Sequence, residues 1–382
     1  MSCVPDVAIA PCADYTPALC RAALEKVIAA VGGLDWVRPG MRIGIKANLV
    51  SMMKPESAAT THPELLKALV EMLKERGAEP VIGDSPGGLY TAAYVNRVYH
   101  AAGMQHTGAE LNSDYATKEI TLPKAVVART ATVTDWLHHC DGIINFCKLK
   151  SHGMMGMSAA SKNLFGTIPG TMKPEYHFRF PDPMDFANML IDLDEYWKPR
   201  LHLVDAVTAM EGNGPTAGTP RQMGCVLAGE NPHKLDLLCA CLIGLEAREV
   251  PTLDAAMQRG LCPPQVEELI IDGAWQDFRK SDFALVRERS GLQFQNVMKG
   301  RAGELFSAFL YKSIAARPKV KKDECIGCQK CFEICPAKAI TMKDRRPAID
   351  RKKCIRCFCC QEFCPKGAMK VSRPPLARIL VK

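Results

Sequence analysis

Arg42-Ile-Gly-Ile-Lys46, then Thr61-His-Pro-Glu-Leu-Leu-Lys-Ala-Leu-Val-Glu-Met-Leu73, then Pro80-Val-Ile-Gly-Asp84 trace a strand, a helix and a second strand. The outer runs are short, apolar and rich in β-branched residues, as buried strands are. Between them Thr61 and Glu64 stand at capping-box spacing and Pro63 suits a first helical turn. Leu65, Leu66, Leu69, Val70 and Leu73 share one helical face, and Gly77 stops it. Working outward, Val7–Ala10, 142–147, 201–207, 224–228 and 269–271 read as further strands, with helical patterns between several. Strands interleaved with helices predict an α/β domain with a largely parallel sheet and flanking helices. Ligands of such sheets bind at the carboxyl ends of the strands, so the polar segments after Lys46, Asp84, Cys147 and Asp205 are the expected site.

Composition narrows the class. Of 382 residues, 47 % are hydrophobic and 24 % charged, which excludes wholesale disorder. No run of ~18 apolar residues occurs, so no membrane span is expected. The start, Met1-Ser-Cys-Val-Pro-Asp6, lacks a basic stretch leading into an apolar one, so no secretory signal is expected and the expected location is cytoplasmic. In such a chain 18 cysteines point to metal or redox chemistry before disulfides. Nine lie at irregular spacings up to Cys262, and nine crowd between Cys325 and Cys364. Charge divides at the same place: Arg317–Lys382 holds 18 Lys and Arg against 6 Asp and Glu, a formal +12, and the remainder is −4. The expected division is an α/β domain over 1–300, a helical linker over 301–318, a small α+β module over 319–372 and a tail over 373–382.

Cys325-Ile-Gly-Cys328-Gln-Lys-Cys331-Phe-Glu-Ile-Cys335-Pro336 fits C-x2-C-x2-C-x3-C-P, and Cys354-Ile-Arg-Cys357-Phe-Cys-Cys360-Gln-Glu-Phe-Cys364-Pro365 fits it again 29 residues later. Three thiolates in a tight loop take three corners of a cubane, while the following turn carries the fourth cysteine to the other cluster. One cluster would use Cys325, Cys328, Cys331 and Cys364, the other Cys354, Cys357, Cys360 and Cys335. Zinc also takes four thiolates, though usually through paired C-x2-C knuckles. Cys359 is left as a bystander. The module resembles the bacterial two-cluster ferredoxins, which implies two 4Fe–4S clusters and a ferredoxin-like fold. Each oxidised cubane with four thiolates carries −2, so a positive field remains. That field favours the reduced clusters and would attract an acidic redox partner such as a flavodoxin, a ferredoxin or another oxidoreductase. No aromatic-interleaved basic stripe accompanies the charge, so nucleic-acid binding is not expected.

A second signal lies between Asn145 and His177. Lys46, Lys148, Lys150, His152, Ser158, Lys162, Asn163 and His177 gather around strand ends, and Gly153, Gly156, Gly166 and Gly170 permit close backbone approach. Cations, an imidazole and a hydroxyl beside glycines suit a small anionic ligand, a carboxylate or phosphate, with His152 as a proton carrier. A third stretch, Met210-Glu-Gly212-Asn-Gly214-Pro-Thr-Ala-Gly218, follows Asp205. It reads first as a glycine-rich turn and second as a ligand loop, since Pro215 and Pro220 oppose an immediate helix. The candidates are therefore His152, Lys162 and His177 for catalysis, and Lys46, Lys148, Lys150, Ser158, Asn163, Asp205, Gly212 and Gly214 for substrate.

Ile45-Lys-Ala-Asn48, Gly83-Asp-Ser-Pro86, the block from Lys148 to Asn163 with Phe165-Gly166, Lys173 and His177, then Asp205, Met210–Pro215, Gly218 and Leu227-Ala-Gly229 together resemble the domain of unknown function 362. That domain is often fused to a bacterial-type ferredoxin, and the resemblance implies an iron–sulfur protein of anaerobic metabolism without supplying a reaction. Residues 152–170 are also similar to the cofactor segment of lactate racemase-like nickel-pincer proteins. There a histidine and a cofactor-tethering lysine are spaced much as His152 and Lys162 are, though Lys162 is followed here by Asn163. The leading expectation is an oxidoreductase passing single electrons through two clusters to or from an anionic substrate or cofactor on the α/β domain, whose further cofactor, flavin, nickel-pincer or other, stays open. The alternatives are an electron-transfer or maturation protein with no chemistry of its own, and racemase- or epimerase-like hydride chemistry on a hydroxy acid.

Overall fold

In the computed structural model of the chain, residues 4–285 and 316–372 are described. The larger body is a nine-stranded mixed sheet. Its strands are β1 (Val7–Pro11), β2 (Arg42–Lys46), β3 (Glu79–Gly83), β4 (Glu110–Leu111), β7 (Gly142–His152), β8 (Gly156–Ser158), β9 (Leu201–Glu211), β10 (Thr219–Gly229) and β11 (Ile271–Asp272). The order is β11-β1-β10-β9-β7-β2-β3-β4, with β8 folded back on the end of β7. From β9 through β7, β2 and β3 to β4 all pairs are parallel. Only β10 runs against both of its neighbours. A separate antiparallel ribbon joins β5 (Thr117–Thr121) to β6 (Thr130–Thr134).

Side chains alternate to two cores, one on each face, as a doubly covered sheet requires. Ile45, Ile82, Ile144, Phe146 and Leu203 pack with Leu24, Val27, Leu66 and Leu69 from the helices Pro17–Ala30 and Pro63–Lys74. Val81, Ile143, Cys147 and Val204 pack on the other side with Leu190, Leu238 and Leu253 from the helices Pro183–Trp197, Pro232–Leu242 and Pro251–Gln258. The α/β reading with a largely parallel sheet and flanking helices therefore holds.

Several boundaries differ. The helix after β2 is capped by His62, whose ring accepts from Glu64 N. Thr61 instead spends its hydroxyl on Phe146 O at 2.8 Å and accepts from Asn48 N. The strand read as ending at Cys147 continues to His152, because Lys150, Ser151 and His152 pair with Ser158, Met157 and Gly156 of β8. The expected loop is thus a buried hairpin, which tolerates lysines only because polar partners reach them from other elements. The strand expected over 269–271 shrinks to β11, with a 3-10 turn at Val266–Glu268 before it.

In the module, β12 (Arg317–Val320) pairs with β15 (Met369–Ser372), and β13 (Ile340–Lys343) with β14 (Arg346–Ile349), both antiparallel. Short helices Lys330–Glu333 and Cys359–Glu362 close the two cysteine runs. The halves repeat: left-handed backbone occurs at Gly327, Gln329 and Lys338, and again at Arg356, Phe358 and Gly367. This is the small two-helix α+β domain foreseen. Apart from residues 316–318, the linker expected over 301–318 lies outside the described residues, as does the tail over 373–382.

Candidate functional site

Parallel strands deliver their carboxyl ends to one edge of the sheet. At the end of β2, Lys46 Nζ lies 2.7 Å from Asp84 Oδ1 just past β3, both groups fully enclosed. Asp84 Oδ2 accepts from Leu49 N at 2.8 Å. Gly166 passes directly over the pair, where a Cβ would overlap Asp84 Oδ1 and sit 2.5 Å from Lys46 Nζ. Next along the edge, Lys150 Nζ donates to Asn48 Oδ1 at 2.5 Å and Ala59 O at 2.9 Å. Asn163 ties the strands together, donating to Lys46 O and Asn145 Oδ1 and accepting from Asn48 Nδ2.

The module sits on this edge. Gln361 Nε2 donates to Asn213 O at 2.9 Å and Gly214 O at 2.8 Å. Asn213 donates to Met369 O and accepts from Val371 N, and Thr216 Oγ1 donates to Glu362 O. Phe358 packs into the core of the body. Gly212 and Gly214, read as ligand residues, therefore belong to the loop that docks the module, with Ser151 Oγ donating to Gly212 O.

Between body and module lies a cavity of about 930 Å³. Lys150, Ser158, Lys162, Asn163 and His177, five of the candidates, line it together with Lys173. The module contributes Glu362, Phe363, Cys364, Lys366 and Lys370. Among the described residues no carboxylate stands at ion-pair distance from Lys150, Lys162 or Lys173. Lys162 and Lys173 both lie over the Phe165 ring, 5.6 and 5.8 Å from its centre, and Lys173 also donates to Ser85 O. Burial and the neighbouring charge of Lys162 bring Lys150 down to about 7. Burial, only partly countered by Asp84, brings Lys173 to about 8. His177 stacks on Phe186 with ring centres 4.3 Å apart, and its enclosed Nδ1 has no hydrogen-bond partner among the described residues. Burial lowers its basicity to about 3, so it is neutral near pH 7.

The remaining candidates lie elsewhere. His152 stands behind the cavity wall. Its Nδ1 accepts from Met154 N and Met155 N, both at 3.1 Å, which leaves the ring proton on Nε2, 2.9 Å from Glu362 Oε1. Burial and the charge of Lys162 depress His152 to about 4. Burial would raise Glu362, but His152 and Lys162 outweigh it and hold the carboxyl below its ordinary range. Lys148 and Asp205 turn away from the cavity and form a closed knot. Lys148 Nζ donates to Asp205 Oδ2 at 2.8 Å and Tyr15 OH at 2.7 Å, while His62 N and Val207 N also bond Asp205 and the Tyr15 ring stacks on His62. Lys46 lies one layer behind the wall. Three wall residues are not among the expected site residues: Lys173 stands in the Asn145–His177 stretch and the family pattern without a role of its own, and Lys370 and Glu362 look like filler around a cysteine run.

The cysteines fall into two sets. One enclosed space is lined by Cys325, Cys328, Cys331 and Cys364 with Ile326, Met342, Pro347 and Met369. The other is lined by Cys335, Cys354, Cys357 and Cys360 with Ile340, Ile349 and Phe358, and Cys359 is buried at its side. Four thiols in a largely apolar cradle, with Lys330 and Lys366 beside the first set and Arg356 beside the second, fit an iron–sulfur cubane. Backbone N–H groups of Ala339 and Ala368 reach the sulfurs of Cys335 and Cys364, each at 3.2 Å, an arrangement that tunes such clusters.

Fold and site define an iron–sulfur protein: an α/β body carrying an electron-transfer module, whose residues 317–365 match the 4Fe–4S dicluster domain. The chain belongs to the family described as domain of unknown function DUF362, whose model matches residues 43–241. A thylakoid-associated protein of Synechocystis sp. is 31 % identical over 283 residues, covering 68 % of this chain and 84 % of that protein. Two solved structures overlap more loosely, each at 13 % identity. The lactate racemase apoprotein of Thermoanaerobacterium thermosaccharolyticum gives a TM-score of 0.40 over 63 % of this chain and 58 % of that one, and a Thermotoga maritima protein gives 0.34 over 54 % and 53 %. The chain thus spans little more than half of either. No helix among the described residues is long and apolar enough to cross a membrane.

Proposed function

We propose that the protein is an iron–sulfur oxidoreductase that holds an anionic substrate or cofactor between its α/β body and its dicluster module. One observation carries the reading: Cys364 lines both the first cysteine space and the 930 Å³ cavity whose opposite wall bears Lys150, Lys162 and Lys173. Cys325, Cys328, Cys331 and Cys364 would hold one cubane and Cys335, Cys354, Cys357 and Cys360 the other. When bound, each supplies one-electron transfer. The chain's own residues do the rest. The three lysines attract and orient the anion. Lys150 and Lys173, brought near neutrality, hold or release a proton beside it. His177, neutral with its proton on Nδ1, donates a hydrogen bond to the anion, and His152 acts only by fixing Glu362. Cys328 is exposed between Ile326 and Phe332, themselves 53 % and 45 % exposed, on a strongly basic module. That face suits an acidic redox protein such as a flavodoxin.

The test uses anaerobically purified holoprotein with pyrophosphate as probe. Thermal stabilisation by the probe should be lost in Lys150→Gln and Lys162→Gln while the visible cluster spectrum stays unchanged. Equal stabilisation in both variants would remove the anion site, and a reduced sample without a paramagnetic cluster signal would remove the redox half.

A further inference from the structure

The cavity lining has two unlike components, cationic and apolar, and together they specify more than an anion. Lys150, Lys162 and Lys173 stand on the body side, and the module adds Lys330, Lys366 and Lys370; the carboxylates on the lining are Glu333, Glu362 and Asp84, of which Asp84 is taken by Lys46. Cations therefore outnumber carboxylates around the cavity, and uncompensated charge away from water is costly. A multiply charged anion offsets the surplus. Beside these cations His177 offers an enclosed nitrogen with no partner among the described residues. A phosphomonoester meets all of these needs at once, with three acceptor oxygens and a charge close to −2 at neutral pH.

The lining also has an apolar share: Val50, Met52, Met53, Leu89, Tyr94 and Phe363. Met52 and Leu89 remain 45 % and 58 % exposed, an arrangement that wastes apolar surface unless something covers it. Inorganic phosphate or a small hydroxy acid would fill only a small part of about 930 Å³, whereas cofactor-sized ligands occupy sites of roughly 300–1,000 Å³. Flexible methionines and aromatic edges accommodate a flat ring well.

We propose that the cavity binds a planar-ring phosphomonoester, its phosphoryl group held by Lys150, Lys162, Lys173 and His177 and its ring laid against Met52, Leu89, Tyr94 and Phe363. This rests on the anion site proposed above and gives that site its ligand class. Lys150 and Lys173, at about 7 and 8, complete their protonation as the dianion arrives, which adds to the attraction.

Flavin mononucleotide serves as the probe, because riboflavin is the same ring without the phosphoryl group and pyrophosphate is the anion without a ring. Binding to anaerobic holoprotein at pH 7 is followed by quenching of flavin fluorescence and by thermal shift. Flavin mononucleotide should bind at least tenfold tighter than riboflavin, and Lys162→Gln should erase that difference. Leu89→Ser, at an exposed position that does not endanger folding, should weaken flavin mononucleotide severalfold and leave stabilisation by pyrophosphate unchanged. Equal affinity for the two flavins overturns the phosphoryl assignment. Stabilisation by pyrophosphate without tighter binding of the ring compound overturns the ring assignment while the anion site stands. No effect of any of the three overturns the site itself.

Discussion

Anion binding in the cavity should weaken steeply as pH rises, and the structure gives the size of the effect. Lys150 sits near 7 and Lys173 near 8, both far below an ordinary lysine because burial disfavours their charged forms. Lys150 is faced by Lys162, Asp84 and Glu362, and Lys173 by Asp84, Lys46, Lys162 and Glu362. If the bound anion needs both as ammonium, affinity should fall about twentyfold between pH 6 and 8, and on the order of a thousandfold by pH 9. Binding at pH 8 should take up about one and a half protons. Sulfate is the right probe, since its own charge is constant over this range. Titration calorimetry in two buffers of different ionisation heat reads the proton uptake directly. The ligand-free fold behaves oppositely. Between about pH 7 and 10.5 the unfolded chain binds more protons at these lysines, so folded stability rises with pH there and falls as pH drops through the folded values. The two cubanes, at −2 each, would move both lysines upward together, shifting the window without changing its sign. Lys150→Met should weaken sulfate at pH 6 and remove the lower of the two steps. Sulfate affinity that rises with pH, or stays flat from pH 6 to 10.5, would refute the reasoning.

Iron and acid-labile sulfide should each approach about eight per chain in anaerobic preparations, and Cys335→Ser or Cys364→Ser should each cost about half; a colourless protein loaded with zinc would contradict this. Gly166→Ala places a methyl group on the Lys46–Asp84 pair, so stability should fall by about 3 kcal/mol, and an unchanged melting temperature would show that the pair can yield. Asn213→Ala removes the bonds to Met369 O and Val371 N, about 1–3 kcal/mol together; the Val371 amide should exchange faster while amides of β2 and β7 keep their protection, and uniform exchange would oppose the docking role.

The sequence reveals what is local. β2 matches its reading residue for residue, and the helix after it lies where the spacing of Leu65, Leu66, Leu69, Val70 and Leu73 puts it. The cysteine sets are equally legible, because thiol spacing within a tight loop is itself the geometry. Legibility fails where a residue's role depends on a distant partner. Lys148 and Lys150 look like a polar loop, yet both lie in a buried strand. Lys148 is neutralised by Asp205 and Tyr15, and Lys150 is held by Asn48 and Ala59. Periodicity cannot distinguish the two lysines, although one ends in a closed knot and the other on the cavity wall. Glu362 carries no signal at all. It becomes a wall residue only because the second cysteine run folds back over the hairpin holding His152.

That dependence bears on why body and module share a chain. The body's strand edge alone would present Lys150, Lys162 and Lys173 to open water, where ammonium groups are well solvated and bind anions weakly. The module alone would present Cys364 at the surface. Docked through Asn213, Gly214 and Thr216, the module covers the lysines, supplies Glu362 to steady His152, and converts an exposed basic edge into an enclosed site. The low effective polarity created in this way lowers Lys150 and Lys173 and strengthens any ion pair they make with a ligand. The glycine-rich loop at 212–218 therefore serves the cavity twice: Asn213, Gly214 and Thr216 fix the module in place, and Pro215, Thr216, Ala217 and Gly218 line the space it encloses.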